Sequence, residues 1–550
     1  MKASLIILPL VLFVASCHPR SADKTSIPPE DKAIEQAPLI DTPQAQTPQQ
    51  EKEQEQEQAP ASPTVSLALV QSTNQTYNQI QPWAKNEPEF SSGFALYLGD
   101  NLFLTTANTV SATNFVELVS PDGSQTASAT VAVIDEGANL ALLRLKKQED
   151  ASFTEKMIPL VLGETPSLND HLELWQFNND GLPIISEGTL QSTVLDVPFT
   201  NNISFILYDI KSVITPTLTE TSIPIMSKGQ LIGISLTCKS GSQKVLSISL
   251  PVIKQFIDNA AKATQTTPYQ GFPAKSITTN ELTDPVFRTY LGLEPKGGGV
   301  FISEVAPRSD AAKAGILKGD VLESIDGIPI DARGIVKDDK LGPVHYSMLL
   351  HDTRQLGDIA TLGIKRKGQA QQIKLTLDRS ALTQDIIARI PSEQQPDYII
   401  YGGIIFQPMS YPLLEAVSPG DNNKASMEMI EATDKKEEYV KAGCDEIILV
   451  TNVLPTKAAL GYASLAGSIL QKVNGIRVKN LRHLGELLDQ VPTNGIICIE
   501  TNKSPYRVYL SQKEAQESNR AIETNAIPIL RYLAPSCKNL TPSTPPTPSI

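Results

Sequence analysis

From residue 65 to residue 264 the chain breaks into apolar runs of strand length, each closed by turn residues: GFALYLGDNLFLTT, FVELVSPDGSQTASATVAVID, LALLRLK, HLELWQF, GTLQSTVLD, SFILYDI and QLIGISLTCKSGSQKVLSISLPVI. Runs of this length and spacing predict an antiparallel β-sandwich or a pair of barrels. PDG at 121–123 is a hairpin turn, because Gly supplies the positive φ of the corner. The pattern then changes, and PVIKQFIDNAAKA at 251–263 spaces its apolar residues for a helix that closes the unit. Two later stretches, GDVLESIDGIPI at 319–330 and GSILQKVNGIRV at 467–478, share a turn-and-strand form, and an amphipathic helix over 481–491 follows the second. They mark a repeated α+β module, expected over 266–380 and again over 395–535. The polar stretch 419–444 is expected to be an inserted helix and loops.

The N-terminus, MKASLIILPLVLFVASC, has one Lys, an apolar run from Leu5 to Val14 and small residues before Cys17, the layout of a secretory signal rather than a membrane span. VASC at 14–17 resembles the bacterial lipobox, which implies cleavage and lipidation at Cys17, and several acyl chains hold a protein on a bilayer firmly. His18 follows where inner-membrane retention would have Asp. The expected place is therefore the bacterial cell envelope, lipid-anchored, at the outer membrane facing the periplasm. Residues 18–65 are rich in Pro, Gln, Thr and Glu and bury too little to offset ordering entropy, so a disordered tether is expected there and a disordered tail over 536–550.

A formal net charge of −13 leaves no basic stripe to displace counterions, which argues against a nucleic-acid partner. Cys238, Cys444, Cys498 and Cys537 show no CxxC spacing, so neither a metal site nor a dense disulfide framework is expected, and no cofactor is implied. Cys238 and Cys498 lie in apolar runs and are expected in the core. A bridge between Cys444 and Cys537 stays open.

The two modules resemble PDZ domains: SDAAKAGILKGDVLESIDG at 309–327 places Gly315, Gly319 and Asp320 at that family's turn positions. Such a domain takes an extended peptide as an added strand and captures its terminal carboxylate in a nest of backbone amides. The corresponding loop of the first module is YQGFPAKSI at 269–277, so Phe272, Ala274, Lys275, Ser276 and Ile277 are the candidate peptide contacts. Lys275 stands where such loops prefer small or apolar residues, and it is expected to strengthen or replace carboxylate capture. For the second module, ligand binding and burial of the groove by a neighbouring domain both remain open.

A β-rich unit over 66–265 followed by two such modules resembles the HtrA/Deg family of serine proteases, and its later half looks closest to the plant-type Deg branch. The resemblance implies a mainly β chain, a chymotrypsin-like double β-barrel followed by two PDZ domains, and homo-oligomers of trimers or larger. It also implies a triad. LTTANTV puts Asn108 at the histidine position, ANLALLRL puts Asn139 at the aspartate position, and TETSIP puts Thr221, or Ser222 after a slip of one residue, at the nucleophile. An amide has no useful basicity, and Ser222 and Ile223 stand where glycines would open an oxyanion hole. A hydrogen bond between the two asparagines is expected to preserve the cleft.

The expectation is therefore that the chain is not an enzyme. It would bind unfolded or C-terminal peptides through its modules, as chaperone, adaptor or regulator in protein quality control. Two rivals stand beside it. One is a serine endopeptidase with a degenerate triad, in which Thr221 or Ser222 attacks with Glu220 as base. The other is a purely structural envelope lipoprotein.

Overall fold

The computed structural model describes residues 61–146, 152–199, 203–214, 217–236, 238, 241, 243–264, 266–417, 427–492 and 494–534. The expected signal sequence with Cys17, the tether up to residue 60 and the tail with Cys537 lie outside them.

Two closed six-stranded barrels resolve the choice left open above. The first holds β1 (Leu67–Asn74), β2 (Glu89–Gly99), β3 (Leu102–Thr105), β4 (Thr113–Val119), β5 (Thr126–Asp135) and β6 (Leu140–Leu145), in the order β1-β2-β3-β6-β5-β4. The second holds β7 (His171–Phe177), β8 (Pro183–Asp196), β9 (Phe205–Ser212), β10 (Pro224–Ser227), β11 (Gln230–Ser235) and β12 (Lys244–Ser249), in the order β10-β11-β12-β9-β8-β7. Closure leaves neither sheet with an unpaired edge. Side chains alternate across a strand, and in β1, β2 and β6 both faces are apolar for a reason. Ala68, Val70, Ala95, Ala141 and Leu143 share one core, while Leu67, Leu69, Phe94, Leu96, Leu140 and Leu142 join the core that continues into the second barrel. The helix Leu250–Ala261 buries Leu250, Val252, Ile253 and Phe256, each worth roughly 1.5–3 kcal/mol of transfer.

The first module carries β13 (Ile277–Asn280), β14 (Val300–Val305), β15 (Val321–Ile325), β16 (Ile328–Pro329), β17 (Ile335–Asp338), β18 (Gly342–His345), β19 (Ile359–Arg366) and β20 (Gln369–Thr376). Its sheet runs β13-β14-β15-β19-β20, with β16 beside β15 and β17-β18 as a separate hairpin. The second carries β21 (Tyr398–Tyr401), β22 (Ile404–Pro408), β23 (Ile448–Val453), β24 (Ser468–Val473), β25 (Ile476–Arg477), β26 (Ile496–Thr501), β27 (Arg507–Ser511) and β28 (Arg531–Tyr532). Its order is β27-β26-β24-β23-β22-β21-β28, with β25 beside β24. The amphipathic helix is Leu481–Asp489, and the polar insertion forms the helices Met427–Asp434 and Lys436–Lys441.

The two sheets differ at one edge. Among the described residues β13 pairs only with β14, so its other edge is open. In the second module the equivalent β22 lies between β23 and β21, and β21 in turn pairs with β28. The tight β21-β22 hairpin needs two residues at positive φ, supplied by Gly402 at 61° and Gly403 at 100°. A Cβ on Gly403 would lie 2.5 Å from the Thr456 hydroxyl.

Cys238 is buried as expected, and burial pushes its thiol up to about 11. Cys498 departs from expectation: it is half-exposed on β26, because the buried side chains of that strand are its neighbours Ile497 and Ile499.

Candidate active site

Positions 108, 139 and 221–222 converge where the barrels meet. Asn108 lies on one helical turn, Ala107–Val110, directly after β3. Ser72 and Asn74 of β1 hold that turn by donating to the Thr109 carbonyl at 2.5 and 3.0 Å. Asn139 sits just before β6 with φ 55°, a left-handed conformation that Asn tolerates better than most residues. It is 1% exposed. Its Oδ1 accepts from the Asn108 backbone amide at 2.8 Å and its Nδ2 donates to the Pro198 carbonyl at 3.2 Å. The asparagines are thus joined through the main chain of Asn108, a route the expected pairing of side chains did not include. The Asn108 Oδ1 accepts from the Thr106 hydroxyl at 2.5 Å.

Ser222 has no exposed surface and a φ of 61°. Its hydroxyl is 2.6 Å from Thr106 Oγ1 and 3.3 Å from Thr105 Oγ1, and it accepts from the Thr106 amide at 3.3 Å. A Cβ on Gly93 would come within 3.0 Å of this hydroxyl and 2.8 Å of the Thr109 hydroxyl. The strand therefore has room for glycine alone at that level. The left-handed backbone costs a non-glycine residue roughly 1–2 kcal/mol, and these buried hydrogen bonds offset it. Thr221 is half-buried. Its carbonyl accepts from the Phe94 amide at 3.1 Å, and its amide donates to Thr219 Oγ1 at 3.3 Å. Of the two hydroxyls, Thr221 has the more accessible residue.

No imidazole joins this centre among the described residues: His171 is exposed at the start of β7, His345 and His351 lie in the first module, and His483 lies on the helix Leu481–Asp489 of the second. Two carboxylates stand on the turn that carries Asn139. Asp135 accepts from the Ala138 amide at 2.9 Å and the Tyr269 hydroxyl at 2.8 Å. Glu136 accepts from the Ser111 hydroxyl and, at 3.3 and 3.4 Å, from the Ser392 amide, and burial raises its pKa. DEGAN at 135–139 reads as an acidic surface turn, and only packing brings it against three other segments.

The candidate peptide loop is largely a packing element. Phe272, Ala274, Ser276 and Ile277 are each 4% exposed or less. Phe272 meets Phe205 of β9 edge to face at 5.0 Å, and the Ala274 amide donates to the Asp378 carbonyl at 2.9 Å. Lys275 alone among the five is solvent-exposed, although the groups around its ammonium desolvate it and lower its pKa. Burial first, and then the charge of Lys275, pushes His345 down to about 4. The same causes push His351 down to about 3.

The match to a family model is to the PDZ domain, over residues 389–530. Protease Do-like 2, chloroplastic, of Arabidopsis thaliana is 24% identical over 462 residues, covering 83% of this chain and 72% of the relative. The periplasmic serine endoprotease DegP of Escherichia coli is 26% identical over 212 residues, 38% of this chain and 34% of the relative. The chain is similar to proteases of the Deg/HtrA family over most of its length. A solved structure of the HtrA-type protease AlgW with a decapeptide covers 57% of this chain and 95% of its own, at 16% identity and a TM-score of 0.41. These relatives correct one expectation. The sequence reading that the chain is not an enzyme is overturned by the naming of its Deg/HtrA relatives as proteases. Asparagine at 108 and 139 stands where the expected base and its orienting group would be.

Proposed function

We propose that this chain works on extended or unfolded polypeptide in protein quality control, capturing it by strand addition at β13 and presenting it to the cleft between the barrels. The observation that carries this reading is the open edge of β13, continuous with the loop at 272–277. An unpaired strand edge offers a row of backbone donors and acceptors to a peptide. In this reading the first module is a PDZ-type module, and Lys275 adds a positive charge for a terminal carboxylate. The second module, whose equivalent strand is paired on both sides, is a structural partner.

Cutting of the captured chain is part of the proposal, because the relatives are named proteases. The attacking hydroxyl is assigned to Thr221, since that of Ser222 is engaged by Thr105 and Thr106. The Thr221 proton passes to the adjacent Glu220 carboxylate and on to the leaving amine as the peptide C–N bond breaks and the acyl ester forms, and water then hydrolyses that ester. Lipid anchoring at Cys17 to a bacterial envelope membrane, and assembly into homo-oligomers, complete the proposal and rest on the sequence resemblance.

The test is to follow binding and cleavage of a fluorescently labelled unfolded casein in the same samples, alongside binding of a labelled peptide with a free C-terminal carboxylate. Lys275→Glu should weaken peptide binding about tenfold, equivalent to about 1.4 kcal/mol. Cleavage should disappear in Thr221→Ala and persist in Ser222→Ala. Absence of peptide binding, or affinity indifferent to Lys275→Glu, would refute capture at this loop. Absence of cleavage in the unmodified chain would refute the assignment of Thr221.

A further inference from the structure

A groove of about 670 Å³ lies where the connection between β1 and β2 meets the second module, within the roughly 300–1,000 Å³ of ordinary binding clefts. It is lined by Trp83 of that connection, by Leu454 and Pro455, and by Ile522 and Ile527, on and just after the helix Gln512–Asn525. The connection is tied to the second module: Gln395 Nε2 donates to the Pro82 carbonyl at 3.0 Å and Gln407 Nε2 to the Gln79 carbonyl at 3.1 Å. Trp83 packs edge to face on Tyr398 at 5.9 Å. The groove offers apolar side chains rather than a strand edge, because the loop 454–457 turns its polar groups inward. The Leu454 amide donates to the Gly403 carbonyl at 2.8 Å, and the Thr456 hydroxyl to the Gly402 carbonyl at 2.6 Å. The rim is acidic: Glu514 and Glu517 stand beside one ammonium, Lys457, which Glu514 already pairs at 3.1 Å.

The chain itself carries a segment that fits. Ile522, Ile527 and Leu530 share a buried cluster with Tyr398, and Trp83, Leu454 and Tyr532 pack against that cluster. Tyr532 also stacks on Tyr398 with ring centroids 6.3 Å apart. The chain thus runs through the cluster that floors the groove and reaches Ala534, whose amide donates to Asp397 Oδ1 at 2.8 Å. PSCKNLTPSTPPTPSI follows at 535–550, outside the described residues, with Pro at 542, 545 and 548. A polyproline II helix has about three residues per turn, so these three prolines would form one stripe. At about 3.1 Å per residue, 535–542 can span roughly 25 Å. Such a helix makes no internal hydrogen bonds and docks its rings on aromatic and apolar walls. Lys538 is the one charged side chain of the segment, opposite in sign to the excess charge of the rim.

We propose that residues 535–550 dock in this groove as a polyproline strap, with the stripe of Pro542, Pro545 and Pro548 against Trp83, Leu454 and Ile522, and Lys538 toward the acidic rim. The strap fastens the β1–β2 connection of the first barrel to the second module.

The experiment compares three full-length proteins: the unmodified chain, the combined variant Pro542→Ala, Pro545→Ala and Pro548→Ala, and the single variant Pro546→Ala, which lies off the stripe. Each is titrated with a fluorescently labelled peptide of residues 535–550 carrying Cys537→Ser, and anisotropy is read. The combined variant should bind the peptide with a Kd of about 100 μM or tighter, because a strap joined to its groove by a short link acts at an effective concentration in the mM range. The unmodified chain and Pro546→Ala, whose own straps fill the groove, should bind it at least about tenfold more weakly. Trp175 is 3% exposed, so a red shift of tryptophan emission in the combined variant, reversed by the peptide, reports on Trp83. Trp83→Leu added to the combined variant should weaken the peptide about tenfold, and Glu517→Lys about threefold at low salt. Binding to the combined variant weaker than about 100 μM would overturn the strap. So would peptide affinity indifferent to Trp83→Leu, or a groove opened as far by Pro546→Ala as by the combined change. Equal binding to the unmodified chain and the combined variant would overturn it too, and would assign the groove to a proline-rich partner instead.

Discussion

The two C-terminal modules start from one pattern and end with different edges. GDVLESIDG and GSILQKVNG form the same turn and strand, yet β13 of the first has one partner and β22 of the second has two. The difference extends to the motif itself. Asp320 in the first is 1% exposed. It accepts from Leu317 N at 2.9 Å and from Arg366 through two bonds of 2.7 Å. Ser468 stands at the same place in the second, fully buried, with a hydroxyl that meets no partner. A shared motif thus specifies a local turn and the strand after it. Which side chains satisfy that turn, and whether the sheet stays open beyond it, depend on segments far away in the chain.

The sharpest way to break this contrast is Arg366→Ala, which leaves the Asp320 carboxylate buried and unpaired. Breaking a buried pair costs several kcal/mol. Because the Arg366 side chain is 27% exposed, the expected loss is about 3 kcal/mol. Denaturant unfolding should show it, together with loss of peptide capture, while the second module keeps its exchange protection. Next in size is Gly403→Val, which puts a branched side chain at φ 100° against Thr456. It should destabilise the second module by about 2 kcal/mol and leave peptide affinity within about twofold. A fall in affinity would show that the second module takes part in capture.

A smaller effect separates the modules by pH. Asp352 of the first module is 1% exposed, gives one oxygen to the Ile206 amide of β9 at 2.7 Å, and is pushed up to about 7 by burial. A raised carboxyl favours the folded state while protonated. Its contribution is therefore present below about 4 and is lost as pH rises toward about 7. His351 and His345, pushed down to about 3 and about 4, favour the folded state while neutral, so their contribution is lost as pH falls below about 6.5. The slopes oppose each other between about 4 and 6.5. Asp352→Asn should leave stability rising more steeply with pH across that window, and the double change His345→Gln with His351→Gln should leave it falling, each by on the order of 1 kcal/mol. Denaturant midpoints at pH 4.5 and 6.5 check both signs. The smallest effect belongs to Ser468→Ala, expected within about 0.5 kcal/mol and on the stabilising side, because it removes an unsatisfied buried hydroxyl. A clear destabilisation would mean that this hydroxyl has a partner after all.

Much of this molecule follows from local pattern. Strand-length apolar runs determined a β-rich N-terminal unit, since period and length alone separate strands from helices. The repeated turn motif located both modules, and the short matches at 103–110, 138–145 and 219–224 brought Asn108, Asn139 and Thr221 or Ser222 to one place. What the sequence could not decide is whatever depends on a partner far along the chain. Closed barrels rather than a sandwich depend on which strands pair last. The half-exposure of Cys498 depends on the register of β26, and the shut edge of the second module on a hairpin of two glycines and on β28. The turn 135–139 becomes a junction only when Tyr269, Ser111 and Ser392 arrive from three other segments. A hydrogen bond between residues more than a hundred positions apart leaves no mark on either local sequence, so tertiary structure alone settles it.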